Sequence, residues 1–305
     1  MRYIRNVTVK PYKTIKRADT KYIPTGFSTD DYTDDLMSRK ITILTSQSEE
    51  GKSVILHRIL LNAIDKGFKV LLVDGEYDEE ELIRELYLKI IGKDKSLYDL
   101  TKPNKVYIKE PKKHILKMIE QWHENKLHIL SKTEANFHDF EAMFNEIVEY
   151  VKTEKIDLVC LDNMMSLVSS SQAERNAAQA DFIKNIILLN RKYNCHSVVV
   201  NHARKQAQRG IELDIFDMSG TSDMANSCDN VFVVWRNFDP ADDEPDGWLS
   251  LKKNKLNGKH KTMPLIFDHE NRTYLEVISG VPQRLSLNWR NEGKQEWIKS
   301  EDTPF

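Results

Sequence analysis

The sequence predicts an α/β fold: a mainly parallel central sheet flanked by helices, with antiparallel strands at the carboxyl-terminal end. Three observations lead to it. From residue 39 short β-branched runs alternate with helical patterns, the rhythm of βαβ units. Several of those runs are apolar throughout (VLLV at Val70–Val73, LVCL at Leu158–Leu161), as strands covered on both faces must be. Beyond residue 247 the texture changes to three runs with the look of antiparallel strands.

Taken in order, residues 1–24 carry seven basic residues (Arg2, Arg5, Lys10, Lys13, Lys16, Arg17, Lys21) against Asp19, with Pro11 and Pro24 and no helical periodicity. That composition reads as a solvated arm or linker, or as an arm that packs on a neighbouring subunit. Strands are expected at Ile41–Thr45, Lys69–Val73, Leu127–Leu130, Leu158–Leu161, Ser197–Asn201 and Val231–Trp235, with a weaker candidate at Lys105–Lys109. Helices fit Lys52–Lys66, Asp78–Ile91, Ile115–Glu124, Phe137–Lys152 and Glu174–Tyr193. Antiparallel strands follow at Trp248–Lys253, Thr262–Phe267 and Thr273–Val277, and the polar stretch from Pro282 to Phe305 reads as an irregular tail. The domain reading is therefore an arm at 1–24, one large domain at 25–280 and a tail at 281–305.

Composition narrows the function. The 305 residues carry 45 Lys and Arg against 47 Asp and Glu, a formal net charge of −2, so any anion binding comes from local patches and not from a uniformly basic surface. No apolar run reaches the ~18 residues of a transmembrane helix, and the charged start MRYIRNVTVKPYK is not a secretory signal. Cys160, Cys195 and Cys228 are odd in number and lack C-x-x-C spacing, which favours a reducing, cytoplasmic setting over disulfides or a zinc site.

The strongest chemical signal is Ser46-Gln47-Ser48-Glu49-Glu50-Gly51-Lys52-Ser53, between the strand ITIL and an apolar helix. That is the setting of a phosphate-binding P-loop. Amides of the loop and of the helix amino-terminus point at the phosphates of ATP; Lys52 neutralises the β and γ oxygens, and the Ser53 hydroxyl joins a Mg²⁺ shell. Ser46 stands where the motif has its first glycine. Glu49 and Glu50 are unusual neighbours for an anion and are expected to point outward.

A second apolar strand, Leu158–Leu161, ends in Asp162: either a loop cap or the acid that holds Mg²⁺ through water at the sheet's carboxyl edge. Val70–Val73 runs through Asp74 and Gly75 into Glu76, placed to orient an attacking water, although Asp78, Glu79, Glu80 and Glu81 beside it make a solvated acidic stretch the alternative. Val198–Val200 ends in Asn201-His202, a strand-end histidine or a γ-phosphate sensor. Two basic clusters, Arg204–Arg209 and Lys252–Lys261, the second with five lysines in ten residues, are solvated faces or the phosphate contacts of single-stranded nucleic-acid binding. An acidic loop, Asp239–Asp246, precedes the second cluster.

The order P-loop, GE, LDN, NHARK, SGTSDMANSCDNVFVVWR, KKNK resembles the RecA-like helicase domain of replicative helicases: the DnaB family and, more closely, phage primase-helicases and the Twinkle type. The likeness spans roughly residues 22–278. It implies a RecA-like P-loop NTPase that hydrolyses ATP with Mg²⁺ at subunit interfaces of a ring, a hexamer in the family, to translocate on single-stranded DNA and unwind duplex. Primase and polymerase are implied as partners, and a phage or phage-like source. By the resemblance Ser46–Ser53 bind the nucleotide, Ser53 and Asp162 hold the metal, Glu76 is the catalytic base and His202 is the phosphate sensor. Arg204, Lys205 and Arg209 contact DNA, Val168–Ala180 matches a second loop of that kind, and Ser219, Gly220 and Asn226 close the pocket. Lys253 and Lys255 reach into the neighbouring subunit's site, where the family usually has Arg at the place of Lys255, a compact charge replacing a planar fork. Two further classes stay open: a RecA-like strand-exchange or regulatory ATPase without unwinding, and a non-enzymatic nucleic-acid scaffold with a degenerate P-loop.

Overall fold

The computed structural model describes residues 19–28, 35–101, 108–131, 140–163, 172–203, 211–217, 226–241 and 244–290. At its centre lies a ten-stranded sheet. In chain order its strands are β3 (Ile41–Ser46), β4 (Val70–Asp74), β7 (Leu127–Ser131), β8 (Leu158–Asp162), β9 (His196–His202), β10 (Asn230–Arg236), β11 (Gly247–Asn254), β12 (Lys261–Asp268), β13 (Thr273–Ile278) and β14 (Val281–Gln283). Two small antiparallel pairs stand apart: β1 (Tyr22–Ile23) with β2 (Leu36–Met37), and β5 (Tyr98–Thr101) with β6 (Ile108–Pro111). Across the large sheet the order is β14-β13-β12-β11-β10-β3-β9-β8-β4-β7. From β10 to β7 every pairing is parallel, and from β10 outward to β14 every pairing is antiparallel.

The apolar strands behave as their sequences require. Leu44, Leu72, Cys160, Val198 and Val200 face one buried cluster, packed against α1 (Lys52–Asp65), α2 (Glu79–Ile91) and α3 (Lys113–His123). Their neighbours Ile43, Leu71, Val73, Val159, Leu161 and Val199 face a second, with α4 (Phe140–Thr153) and α5 (Gln172–Tyr193). Period-two alternation thus feeds two cores, and a strand with one face in water would not have been apolar at every position. Helix α1 crosses the first face with Ile55, Leu56, Ile59, Leu60, Ala63 and Ile64 all buried. Truncating one of its buried Leu or Ile residues to alanine costs about 2–5 kcal/mol.

Both ends depart from the sequence reading. The arm is seated from Asp19 onward: Asn62 donates to Pro24 O at 2.7 Å, and Arg58 donates to Gly26 O at 2.7 Å and to Tyr274 O at 3.2 Å. Burial pushes the Arg58 guanidinium down to about 10, and Glu276, 3.6 Å away, opposes the shift. Residues 1–18 lie outside the described residues. At the other end the chain from Pro282 is not wholly irregular. Val281–Gln283 adds an edge strand, Trp289 is buried, and Asn288 donates to the Asp65 carboxylate at the end of α1. Polar composition hid this because a few apolar anchors suffice to dock a short segment. The weak strand expected at Lys105–Lys109 is seen only as the start of β6, since residues 102–107 lie outside the described set.

Candidate nucleotide site

Parallel strands deliver their carboxyl ends to one rim. Ser46 at the end of β3 registers with His202 at the end of β9, and Asp74 of β4 registers with Asp162 of β8. With β9 lying between β3 and β8, the loop after β3 and the acid that ends β8 face each other across a single strand. In open α/β sheets this rim is where ligands bind.

Gly51 is the amino-terminal cap of α1 at φ 91°, a left-handed backbone that glycine adopts without cost. Its bareness is needed twice over, because a Cβ there would lie 2.7 Å from the Tyr274 ring. Ser46, by contrast, lies within β3, so a glycine is not demanded at that position. It is Glu49, at φ 70°, that takes the other left-handed turn of the loop. The Lys52 ammonium reaches back to Gln47 O at 2.6 Å, Ser46 Oγ at 3.0 Å and Ser46 O at 3.4 Å. Burial lowers Lys52 to about 8, while Asp162, Glu50 and Glu76 pull it back up. Glu49 is exposed, as expected, but Glu50 is not. Glu50 is fully buried, and its Oε2 accepts the Gln47 N–H at 2.9 Å, which gives the acid a use inside the loop.

The Ser53 hydroxyl hydrogen-bonds Asp162, whose carboxyl burial raises to about 7, with Asp74 and Glu76 adding to the rise and Lys52 opposing it. Asp74 accepts the N–H groups of Glu76 at 2.8 Å and Tyr77 at 2.9 Å, fixing the Gly75-Glu76 turn. Its other oxygen is buried and has no hydrogen-bond partner among the described residues. Burial raises Asp74 as well. The Asn163 amide donates to the carboxylate of exposed Glu76 and lies 3.1 Å from His202 Nε2. Burial, and then Lys52, lower His202, which keeps the ring neutral and able to accept.

For a divalent cation the available donors are hard oxygens, the Ser53 hydroxyl and the Asp162 carboxylate, with the orphaned Asp74 oxygen behind them. Such a partial set fits Mg²⁺, which takes its remaining ligands from phosphate and water. Consistently, no group of three His, Cys, Asp or Glu that could cage an ion occurs among the described residues.

Lys52, Ser53, Glu76, Asp162 and His202 thus come together on one rim. Lys253 and Lys255 do not join them. They sit at the opposite edge of the sheet, where β11 ends beside the start of β10, and both donate to Asn226 O, at 3.3 and 2.9 Å. Arg204, Lys205, Arg209, Ser219 and Gly220 lie outside the described residues. Of the second loop expected at Val168–Ala180, the part from Gln172 is the first stretch of α5. Sequence reasoning passed over Asn163, although it follows the assigned acid directly. It also took Asp74 for part of a solvated run. Tyr274, which donates to Glu50 O at 2.9 Å across 224 residues of chain, left no local signal.

The fold and this rim define a RecA-like P-loop ATPase architecture. The sequence profile of the AAA domain family matches residues 27–208, and the chain belongs to that family. No curated protein matches the chain in sequence. Among solved structures it is similar to the ATPase domain of a phage helicase, at 14% identity and TM-score 0.63 over 87% of this chain and 91% of that one. A DnaB-like replicative helicase, from a structure of its interactions with primase, is similar at 15% identity and TM-score 0.64, over 83% of this chain and 61% of the helicase. A KaiC-like protein from Pyrococcus horikoshii OT3 shares the fold at 12% identity and TM-score 0.58, over 84% of this chain and 99% of that one. No helix among the described residues is long and apolar enough to cross a membrane.

Proposed function

We propose that the chain is a DNA-helicase motor domain that hydrolyses ATP at the β3–β9–β8–β4 rim to translocate on single-stranded DNA. One observation carries the reading: Lys52, Ser53, Asp162, Glu76, Asn163 and His202 converge there from four separate strand ends. In the proposed reaction the loop amides and Lys52 bind the phosphates, and Ser53 and Asp162 hold Mg²⁺. The metal, when bound, neutralises charge developing on the phosphoryl oxygens. Glu76, steadied by Asn163, orients the attacking water and takes its proton. Neutral His202 shares the Asn163 amide with Glu76, so a change at the terminal phosphate reaches β9 and the chain beyond it. Tyr274 against Gly51, Phe267 edge-on to Tyr274 at 5.1 Å, and Arg236 over Phe267 at 4.6 Å lead away from the loop as an apolar and cationic seat for a base. The opposite-edge Lys253 and Lys255 are assigned to the neighbouring subunit's site in a ring. Arg204, Lys205 and Arg209 are assigned to the DNA.

The test compares Lys52→Ala and Glu76→Gln with the wild type for nucleotide binding and for ATP turnover with and without single-stranded DNA. Lys52→Ala is expected to lose both. Glu76→Gln should bind nucleotide and lose about 10²–10⁴-fold in turnover, the share of a general base. Wild-type turnover in either variant removes the assignment. A regulatory RecA-like ATPase is the second reading, prompted by the KaiC-like likeness; strand separation of a forked duplex discriminates the two.

A further inference from the structure

An acid at the heart of an anion-binding loop needs an explanation. Glu50 is fully buried, its Oε2 accepts the Gln47 N–H at 2.9 Å, and its main-chain carbonyl accepts the Tyr274 hydroxyl at 2.9 Å. Its charge also acts on Lys52. A carboxylate in that position has two effects of opposite sign. As an acceptor it fixes the bend between Gln47 and Glu50. As a negative charge in a poorly solvated place, it repels the anion that Lys52 and the start of α1 attract. The charge of its exposed neighbour Glu49 is instead screened by water and salt.

We propose that Glu50 sets the nucleotide affinity of this loop, bracing it through the Gln47 N–H while its charge weakens the hold on phosphate and speeds product release. The proposal rests on the nucleotide-site reading above. Two substitutions separate the effects. Glu50→Gln keeps an acceptor for Gln47 and removes the charge; Glu50→Ala removes both. The bond from Tyr274 goes to the main chain and survives either change, so β13 still anchors the loop.

The experiment measures binding and release of a fluorescent N-methylanthraniloyl ADP with Mg²⁺ by the full chain, in wild type, Glu50→Gln, Glu50→Ala and Lys52→Ala. Glu50→Gln is expected to bind about three- to tenfold more tightly than wild type and to release more slowly, the size of one nearby charge at intermediate dielectric. Glu50→Ala is expected to bind more weakly than Glu50→Gln because the brace is gone. If Glu50→Gln binds no more tightly than wild type, the proposal is overturned. If wild type itself binds no better than Lys52→Ala, the nucleotide-site reading fails instead. Should Glu50→Gln not fold, Glu50→Thr, a smaller neutral acceptor, is judged by the same criterion.

Discussion

The two edges of the parallel sheet are built from the same strands and treat their polar groups in opposite ways. At the amino edge His196 opens β9 fully buried, with Nδ1 2.7 Å from Met37 O and Nε2 2.9 Å from Thr42 Oγ1. Beside it Asp229 takes the Lys40 ammonium at 3.0 Å and the Ile41 N–H at 3.1 Å. At the carboxyl edge Lys52, Asp74, Asp162 and His202 are all moved from their ordinary protonation behaviour, chiefly by burial, and one Asp74 oxygen has no partner among the described residues. One edge is satisfied and holds the fold. The other keeps charged groups in a costly arrangement, as a binding rim does when ligands are to supply the missing contacts.

The sharpest way to break this contrast is to ask whether the satisfied edge also serves catalysis. If Lys253 and Lys255 act on a neighbouring subunit, replacing both with alanine should cut turnover about ten- to a hundredfold, with nucleotide affinity of the isolated subunit unchanged. Mixing the variant with Lys52→Ala subunits should restore part of the activity, and mixing that restores nothing argues against action between subunits. Next comes stability. Asp162, raised to about 7, favours the fold while protonated, and that contribution is lost as pH rises from the ordinary carboxylate range through about 7. Asp162→Asn should therefore unfold later than wild type at pH 8, by something on the order of 2–4 kcal/mol, with the gain shrinking toward pH 4. Denaturant titrations at both pH values check the sign.

His196 predicts the reverse dependence. Burial lowers it to about 4, so the stability it allows is complete above pH 6.5 and is lost as pH falls from there to about 4. The loss is on the order of 3 kcal/mol. His57, also lowered by burial, adds in the same direction. A wild-type protein equally stable at pH 6.5 and pH 4.5 would contradict both. The smallest effect expected is that of Ser46→Gly. Lys52 keeps two carbonyl acceptors, so nucleotide affinity should change by less than about threefold, within the range of one neutral hydrogen bond, as an equilibrium titration would register.

How much of this could be read beforehand follows from the range of each interaction. Apolar strands and the helix after Lys52 announce themselves locally, and the parallel half was legible almost to the residue. Strand order also made the rim legible, because parallel strands must end on one side. What stayed hidden depends on distant partners. Tyr274 meets the loop only because β13 lies along α1, and Glu50 turns inward only because Gln47 offers an N–H. The small β1–β2 and β5–β6 pairs were missed because two- to four-residue strands carry too little periodicity to register.

Ser46 leaves one more lesson. Because its backbone is that of an ordinary strand residue, the first letter of the motif is here a habit of related chains and not a steric need. Text patterns that insist on glycine at that place will skip this chain and any others built alike. A search keyed to Gly51-Lys52-Ser53 and the apolar strand ahead of them would recover it.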